Sequence, residues 1–500
     1  MRPRRSRNSS TLSPFGSPAG QRRELARRQT VGLEHAVTRQ YAQSRPGSRS
    51  GRGLHSCDGG PSACGRPGDA SIGVRIRGMR SEQVVNGIPS PVPPGWGRDW
   101  ALSNAVPEPS DTTSLNVALY PYVPDPVWYE ETVQTAWMLV HPDVALNFIQ
   151  YDCYAGDPPP TLDVFGFDAI FAQYFMAMKF LQPMPEADIS DYFAWALQGL
   201  IVDGKRLVAA PYLGCMNVMI YSAEDSQLGA PGLTVELLEN ILGDSSDSSP
   251  CPLPGEGLLL DLTGGTTDAC LYLQIGMQDA NQFPVNPHPP ACPSGLDPTA
   301  LPNLHAAVRI AGHKQVTYVD ASGYQRLIWF LNGFGRGYVG STEAMAFIPP
   351  GELGEYAFRP LPFSSAPVTT NPVFVNAMGV NQNVDPGKTS LAVDLALMVA
   401  SPTVTTTALA GRTNPQYLTP VRASVLNALA ARFPMYRQIQ QVLQQVRPAG
   451  FRIGPMSRQW LNATKCCLAS QIVGPEIEID ESEFEAPGYR SSPGGLWRKP

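Results

Sequence analysis

The sequence predicts an α/β fold with two lobes around a central cleft, preceded by a disordered N-terminal tail. Three observations carry that expectation. From about residue 115 onward, apolar runs of strand length alternate with stretches of helical spacing. Such alternation builds open sheets flanked by helices, and 500 residues with 43% apolar content can fill two cores. Finally, the blocks LNVALYPYVPD, YDCYAGDPPPTLDVFGFDAIF and APYLGCMNVMIYS each end an apolar run in aromatic, acidic or thiol side chains. Ligands of open α/β sheets sit at the carboxyl ends of strands.

The tail comes first. Residues 1–80 hold sixteen Arg, no Lys and four acids (Glu24, Glu34, Asp58, Asp69), a charge of +12. The whole chain carries −6, so the remainder carries −18. Up to residue 110, Ser, Arg, Gly and Pro dominate without apolar periodicity, which reads as disorder or a targeting region. An organelle transit peptide or an upstream frame that is not translated fits this composition better than a nucleic-acid arm, which would interleave aromatics. The tail lacks the apolar stretch of a secretory signal, and no run reaches the ~18 apolar residues of a membrane span.

The body is expected over 111–470. Leu115–Leu119 reads as a strand, Trp128–Val140 as a helix with acids near its start, and Ala145–Gln150 and Leu162–Phe167 as strands. An apolar helix follows over Asp168–Met178. Ile201–Ala210 is a hairpin about an Asp-Gly turn, delivering Pro211–Tyr221. Further on, Thr234 caps a helix to Ile241, Leu258–Asp261 is a strand, and 263–276 is a loop entering a helix. Residues 281–300 form a Pro-rich loop. Tyr324–Leu331 is a helix, and Gly337–Ile348 a turn into a strand or helix carrying Glu343. Phe374–Gly379 is a strand; Ser390–Ala400, Pro420–Ala431 and Tyr436–Val446 are helices. Residues 471–500 are a flexible acidic tail.

The acidic body does not suit nucleic acid and does suit a cationic small ligand. The nine cysteines show no zinc spacing, and the histidines no triad, so no metal or cofactor is implied. Cys251, Cys270 and Cys292 have Pro/Gly-rich surroundings suited to a disulfide in an exported protein; Cys466–Cys467 is a vicinal pair. The Gly-rich GFGRGYVG lacks the Lys-Ser/Thr of a phosphate loop. Tyr120, Tyr122, Tyr154, Asp168 and Cys215 would share one cleft, a site for a flat cation beside a nucleophile. Taken singly, each has a structural explanation: Cys215 and Cys153 as packed strand thiols, Asp168 as a helix cap, Glu343 as a solvated carboxylate, Tyr120 and Tyr122 as rim residues. Their joint occurrence points to chemistry.

The blocks NVALYPYVPDP, YDCYAGDPPPTLDVFGFDAIF, PYLGCMN, the Glu of GSTEAMAF, and NPQYLTPVRASV resemble the thiaminase I (thiamine pyridinylase) family over residues 115–450. The resemblance implies a periplasmic-binding-protein-like fold turned enzyme, which cleaves thiamine at its methylene bridge and passes the pyrimidine to a nucleophile. It places the catalytic cysteine at Cys215 and the general base at Glu343. The substrate pocket falls on Tyr120, Tyr154, Asp168, Tyr324 and Asn376. It further implies thiamine and an amine or thiol co-substrate as partners, a monomer, and a secreted or periplasmic location. Two places depart from the family pattern: Ser341-Thr342-Glu343 where Tyr-Ser-Glu is common, and Phe374-Val375-Asn376 where Tyr-x-Asp is common. These departures raise two alternatives, a solute-binding protein that holds thiamine or a related pyrimidine without cleaving it, and an enzyme for another cationic heteroaromatic.

Overall fold

A computed structural model describes residues 113–473 except 203–204, 246–249, 281–295, 320, 322 and 451–452. The expected tails at 1–110 and 471–500 fall outside these residues almost entirely, as do Cys57, Cys64 and Cys292.

The chain begins with β1 (Ser114–Ala118), which runs parallel to β2 (Ala145–Phe148) and β3 (Val164–Asp168). Helix α1 (Pro126–Val140) links the first two, started by Pro126 and capped by Asp125, whose carboxylate accepts from Trp128 N–H at 3.0 Å. That cap, rather than the acids expected near its start, complements the first turn. Its buried stripe is Tyr129, Thr132, Val133 and Trp137. After β3, the helix expected over Asp168–Met178 is broken into a 3₁₀ turn (Ala169–Phe171) and the short α2 (Ala172–Ala177). The hairpin strands β4 (Ile201–Val202) and β5 (Arg206–Leu207) pair as expected; their turn is not among the described residues.

Strand β6 (Ala210–Cys215) returns to the first sheet, and one residue later β7 (Asn217–Ser222) opens the second. There follow α3 (Val235–Leu242), β8 (Pro254–Leu259), α4 (Gly265–Ala280), α5 (Ala300–Ala311), α6 (His313–Val316), α7 (Gly323–Leu331), β9 (Gly335–Ser341) and β10 (Tyr356–Pro360). This second sheet is ordered β10-β7-β9-β8. The chain then recrosses into β11 (Thr370–Val380), buried at every position, antiparallel to both β3 and β6. Helices α8 (Thr389–Val399), α9 (Pro402–Ala410), α10 (Ala423–Arg432) and α11 (Pro434–Gln445) cover the first lobe. β12 (Arg447–Gly450) pairs parallel with β11, and α12 (Ser457–Leu468) packs on α4. Among the described residues no single helix is long and apolar enough to cross a membrane.

Two lobes thus form, with the second spliced into the first between β6 and β11. Side-chain amides, buried at all but Asn217, tie the two crossings together. Asn217, at the first, donates to Gln274 of α4 at 3.0 Å, and Gln274 and Gln278 donate to Asn371, at the second, at 3.4 and 3.3 Å.

Inside the second lobe, Arg326 on α7 is fully buried. Its guanidinium donates to the carbonyls of Ala321, Gln315 (2.6 Å) and Tyr318 (3.2 Å), and pairs with Asp261 at 3.1 Å. Removing one partner of such a pair strands the other charge and several carbonyls. Arg326→Ala is expected to lower unfolding free energy by about 3–5 kcal/mol, read by urea denaturation; a loss under ~1 kcal/mol would contradict this account.

Of the three cysteines suited to a disulfide, Cys251 and Cys270 are buried and not bonded to each other, and Cys292 lies outside the described residues. Cys467 is disulfide-bonded, whereas its neighbour Cys466 is an exposed thiol.

Candidate active site

Three adjacent strands of the first lobe build one wall. Asp168, the last residue of β3, lies directly opposite Asn376 of β11, and Cys215, the last residue of β6, lies directly opposite Phe374. Opposed residues in an antiparallel pair project to one face, and so do residues two apart on a strand. Asp168, Asn376, Phe374 and Cys215 therefore face the same way.

The other lobe supplies Glu343. It follows β9 on a 3₁₀ turn (Thr342–Phe347), and this turn is fastened at the crossing, because Thr342 N–H donates to Met216 O at 2.9 Å. A strand end from one lobe and a strand end from the other thus meet one residue beyond Cys215. The Glu343 carboxylate is close enough that its charge acts on the Cys215 thiol.

The electrostatics follow from burial. Glu343 is 7% exposed and its Oε2 atom has no hydrogen-bond partner. Desolvation raises its pKa to about 7, against a hydrogen bond from Ser341 that works the other way. Desolvation also pushes the Cys215 thiol well up, and the carboxylates of Glu343 and Asp168 add to that. Thiolate and carboxylate therefore disfavour one another, and the arrangement suits one proton shared between two groups. Asp168 is raised by burial to about 6, tempered by the bonds it accepts from Ile170 N–H (3.0 Å) and Tyr154 OH (2.7 Å). It is at once the cap expected of it and a wall residue.

Aromatic side chains frame the wall. Tyr120 follows β1 and is held by its backbone, whose N–H donates to Tyr212 OH at 3.1 Å. Gly166 makes room for that contact, since a Cβ there would stand 2.8 Å from both Tyr120 N and Tyr212 Oη. The Tyr120 ring lies 5.5 Å from Tyr122, and Tyr122 6.4 Å from Tyr154. Tyr122 is a rim residue, half exposed, donating to Asp152 at 2.6 Å. The Tyr324 ring on α7 sits 4.5 Å from that of Phe347, the last residue of the Glu343 turn. Tyr120, Tyr154, Asp168, Asn376 and Cys215 gather on the first lobe, with Tyr324 and Glu343 on the second. Cys153 is buried as expected, but in a turn rather than a strand.

One neighbour escaped sequence reading. The Cys270 thiol, on α4, acts electrostatically on both Cys215 and Tyr154. It stands 55 positions beyond Cys215 in the sequence, so only the packing of α4 against β11 could reveal it. Among the described residues no group of three or more His, Cys, Asp or Glu side chains could hold a metal ion.

This fold and wall define a class: a two-lobed α/β scaffold of the solute-binding type, with a thiol and a carboxylate across its lobe junction. An ABC-transporter solute-binding protein from Agrobacterium radiobacter in complex with ribitol superposes with a TM-score of 0.55 at 16% identity, over 74% of this chain and 96% of that one. The family model for the Thiaminase-1 domain matches residues 216–364, the spliced-in second lobe. Thiaminase-1 of Paenibacillus thiaminolyticus is 34% identical over 370 residues, covering 72% of this chain and 88% of that protein. Clostridium botulinum thiaminase I in complex with thiamin superposes with a TM-score of 0.66 at 29% identity, over 72% of this chain and 100% of that one. The chain belongs to the thiaminase I family.

Proposed function

We propose that the protein is a thiamine pyridinylase: a transferase that cleaves thiamine at the methylene bridge through a Cys215-linked pyrimidine and hands the pyrimidine to an amine or thiol. The observation that carries this reading is the meeting of Cys215 and Glu343 across the lobe junction, in a chain 34% identical to Thiaminase-1.

Glu343 takes the Cys215 proton, and the resulting thiolate adds to an electron-poor carbon of the pyrimidine ring. The ring electrons then break the bond between the methylene carbon and the thiazolium nitrogen. That nitrogen keeps the electron pair, so the thiazole leaves neutral. The second nucleophile adds at the methylene carbon and gives up its proton. Cys215 is expelled as thiolate and recovers a proton from Glu343. The net change is thiamine plus amine to pyrimidine adduct, thiazole and one proton. Tyr120, Tyr154 and Tyr324 offer ring faces to the cationic thiazolium, worth ~0.5–2 kcal/mol each. Asp168 accepts from an amino group on the pyrimidine.

Export belongs to the same reading, supported by the Cys467 disulfide, which suits an oxidising compartment. The test is mass spectrometry of the full chain incubated with thiamine and an aromatic amine. A pyrimidine–amine adduct with free thiazole is the expected result. Intact thiamine, with ligand-induced thermal stabilisation, would instead favour a binder.

A further inference from the structure

Tyr154 and Asp168 depend on the turn 151–157, a stretch without strand or helix. The turn grips Asp168 twice: Asp168 N–H donates to the Cys153 thiol, and Asp168 Oδ2 accepts from Tyr154 OH at 2.7 Å. It also supplies Asp152, whose two oxygens accept from Tyr154 N–H at 2.9 Å and Tyr122 OH at 2.6 Å. The turn is closed from outside by Arg458 of α12, 305 residues beyond Cys153. One nitrogen, Nη2, donates to the carbonyls of Cys153 and Gly156, each at 3.0 Å, and lies 3.0 Å from the Asp157 carboxylate. The guanidinium also lies over two rings, its central carbon 4.9 Å from the centre of Phe171 and 5.4 Å from that of Tyr174. Phe171 in turn stands 5.3 Å from Tyr154, and Tyr174 OH donates to Asp157 at 3.1 Å.

Resting on the reading of the protein as a thiamine-cleaving transferase, we propose that Arg458 is a positioning residue of the thiamine pocket, acting through the turn that presents Tyr154 and holds Asp168. Arginine suits this task. Its planar fork donates to several acceptors at once while its face stacks on aromatic rings, and a lysine does neither as well. The helix that carries it is itself fixed. α12 packs on α4, from the stretch between the two crossings, and on the 3₁₀ turn and α2 of the first lobe. Its Cys467 is disulfide-bonded. The pocket turn is thus fastened to a helix that touches both lobes. Cys215 and Glu343 are set separately, by β6 and by the turn after β9. Loss of the clamp therefore weakens the hold on thiamine, and thiamine that is bound still reacts.

The experiment compares kcat and KM for thiamine in the full-length parent, Arg458→Met and Arg458→Lys. The Met variant keeps an apolar stem over Phe171 and removes every donor. Its KM is expected to rise about tenfold while kcat stays within about threefold of the parent. The Lys variant keeps a charge for Asp157 but not the fork, and its KM is expected to rise by less. A merely structural role would give the reverse: part of the variant would be unfolded, so kcat per molecule would fall and KM would not move. That pattern would overturn the proposal, as would a KM within about twofold of the parent in both variants. If Arg458→Met does not fold, Arg458→Lys carries the same comparison. If the parent binds thiamine without cleaving it, the transferase reading fails separately, and the calorimetric Kd for thiamine takes the place of KM, with the same weakening expected. A parent that neither cleaves nor binds thiamine overturns both.

Discussion

Cys215→Ser lowers kcat for thiamine cleavage by roughly 10³-fold or more, while thiamine binding stays within a few-fold of the parent. The reason is the distance in acidity between the base and the group it must deprotonate. Burial raises Glu343 to about 7 and so narrows its gap to the Cys215 thiol, itself pushed up by burial, whereas a serine hydroxyl lies far beyond its reach. The change from sulfur to oxygen is otherwise small, and Cys215 ends β6 beside Phe374 with part of its surface open, so the strand register has no cause to shift. Loss of kcat with retained affinity would place Cys215 among the groups that act on the reacting atoms. A fully active variant would exclude it and turn attention to Cys270, whose thiol shares the same electrostatic neighbourhood. Steady-state kinetics of the variant, with isothermal titration of thiamine, distinguish these results.

The elements that position this thiol were unevenly legible. Strands β1, β3, β6 and β11 and helices α1, α3 and α11 come from strong local signals: apolar runs, the Asp125-Pro126 start, the Thr234 cap, the stripe Met435, Tyr436, Ile439 and Val442. Where a local signal was ambiguous, packing decided. Ser401-Pro402 reads as the end of a helix, yet it also starts α9: Ser401 caps Val404 N–H at 3.3 Å and Pro402 takes the first position. α9 is Thr-rich, with little helix propensity of its own, and owes its place to packing on α1 and α10. β12 is Arg-Pro-Ala-Gly, a sequence without strand character, and exists only because β11 offers it an edge. The signal for α12 was present and unread: Trp460, Leu461, Thr464, Cys467 and Leu468 recur at helical spacing. The pairing of Asp168 with Asn376 was out of reach in another sense. Register between strands about 200 residues apart is set by the whole sheet, and no local pattern encodes it.

Glu343→Gln carries the second large effect, and it acts in opposite directions on activity and stability. Removing the base lowers kcat by roughly 10²–10⁴-fold. In the parent, kcat/KM falls as pH drops through about 7, because Glu343 must be ionised to take the Cys215 proton; in the variant that acid limb disappears. Stability moves the other way. The folded-state pKa of about 7 lies above the ordinary glutamate value of 4.5, so between those pH values the folded protein binds more protons than the unfolded chain. Stability attributable to this group is therefore present at low pH and lost as pH rises through that window. Above pH 7 the parent holds a desolvated carboxylate whose Oε2 has no partner, whereas the amide that replaces it in the variant is neutral at every pH. The variant is expected to exceed the parent by about 3 kcal/mol at pH 8 and by nothing near pH 4, a difference set by the span between the two pKa values. Urea denaturation at both pH values, alongside the pH–rate profile, separates a base held at a cost to folding from a carboxylate that merely packs. Equal stability at pH 8, or an acid limb that survives in the variant, would rule out Glu343 as the group that takes the thiol proton.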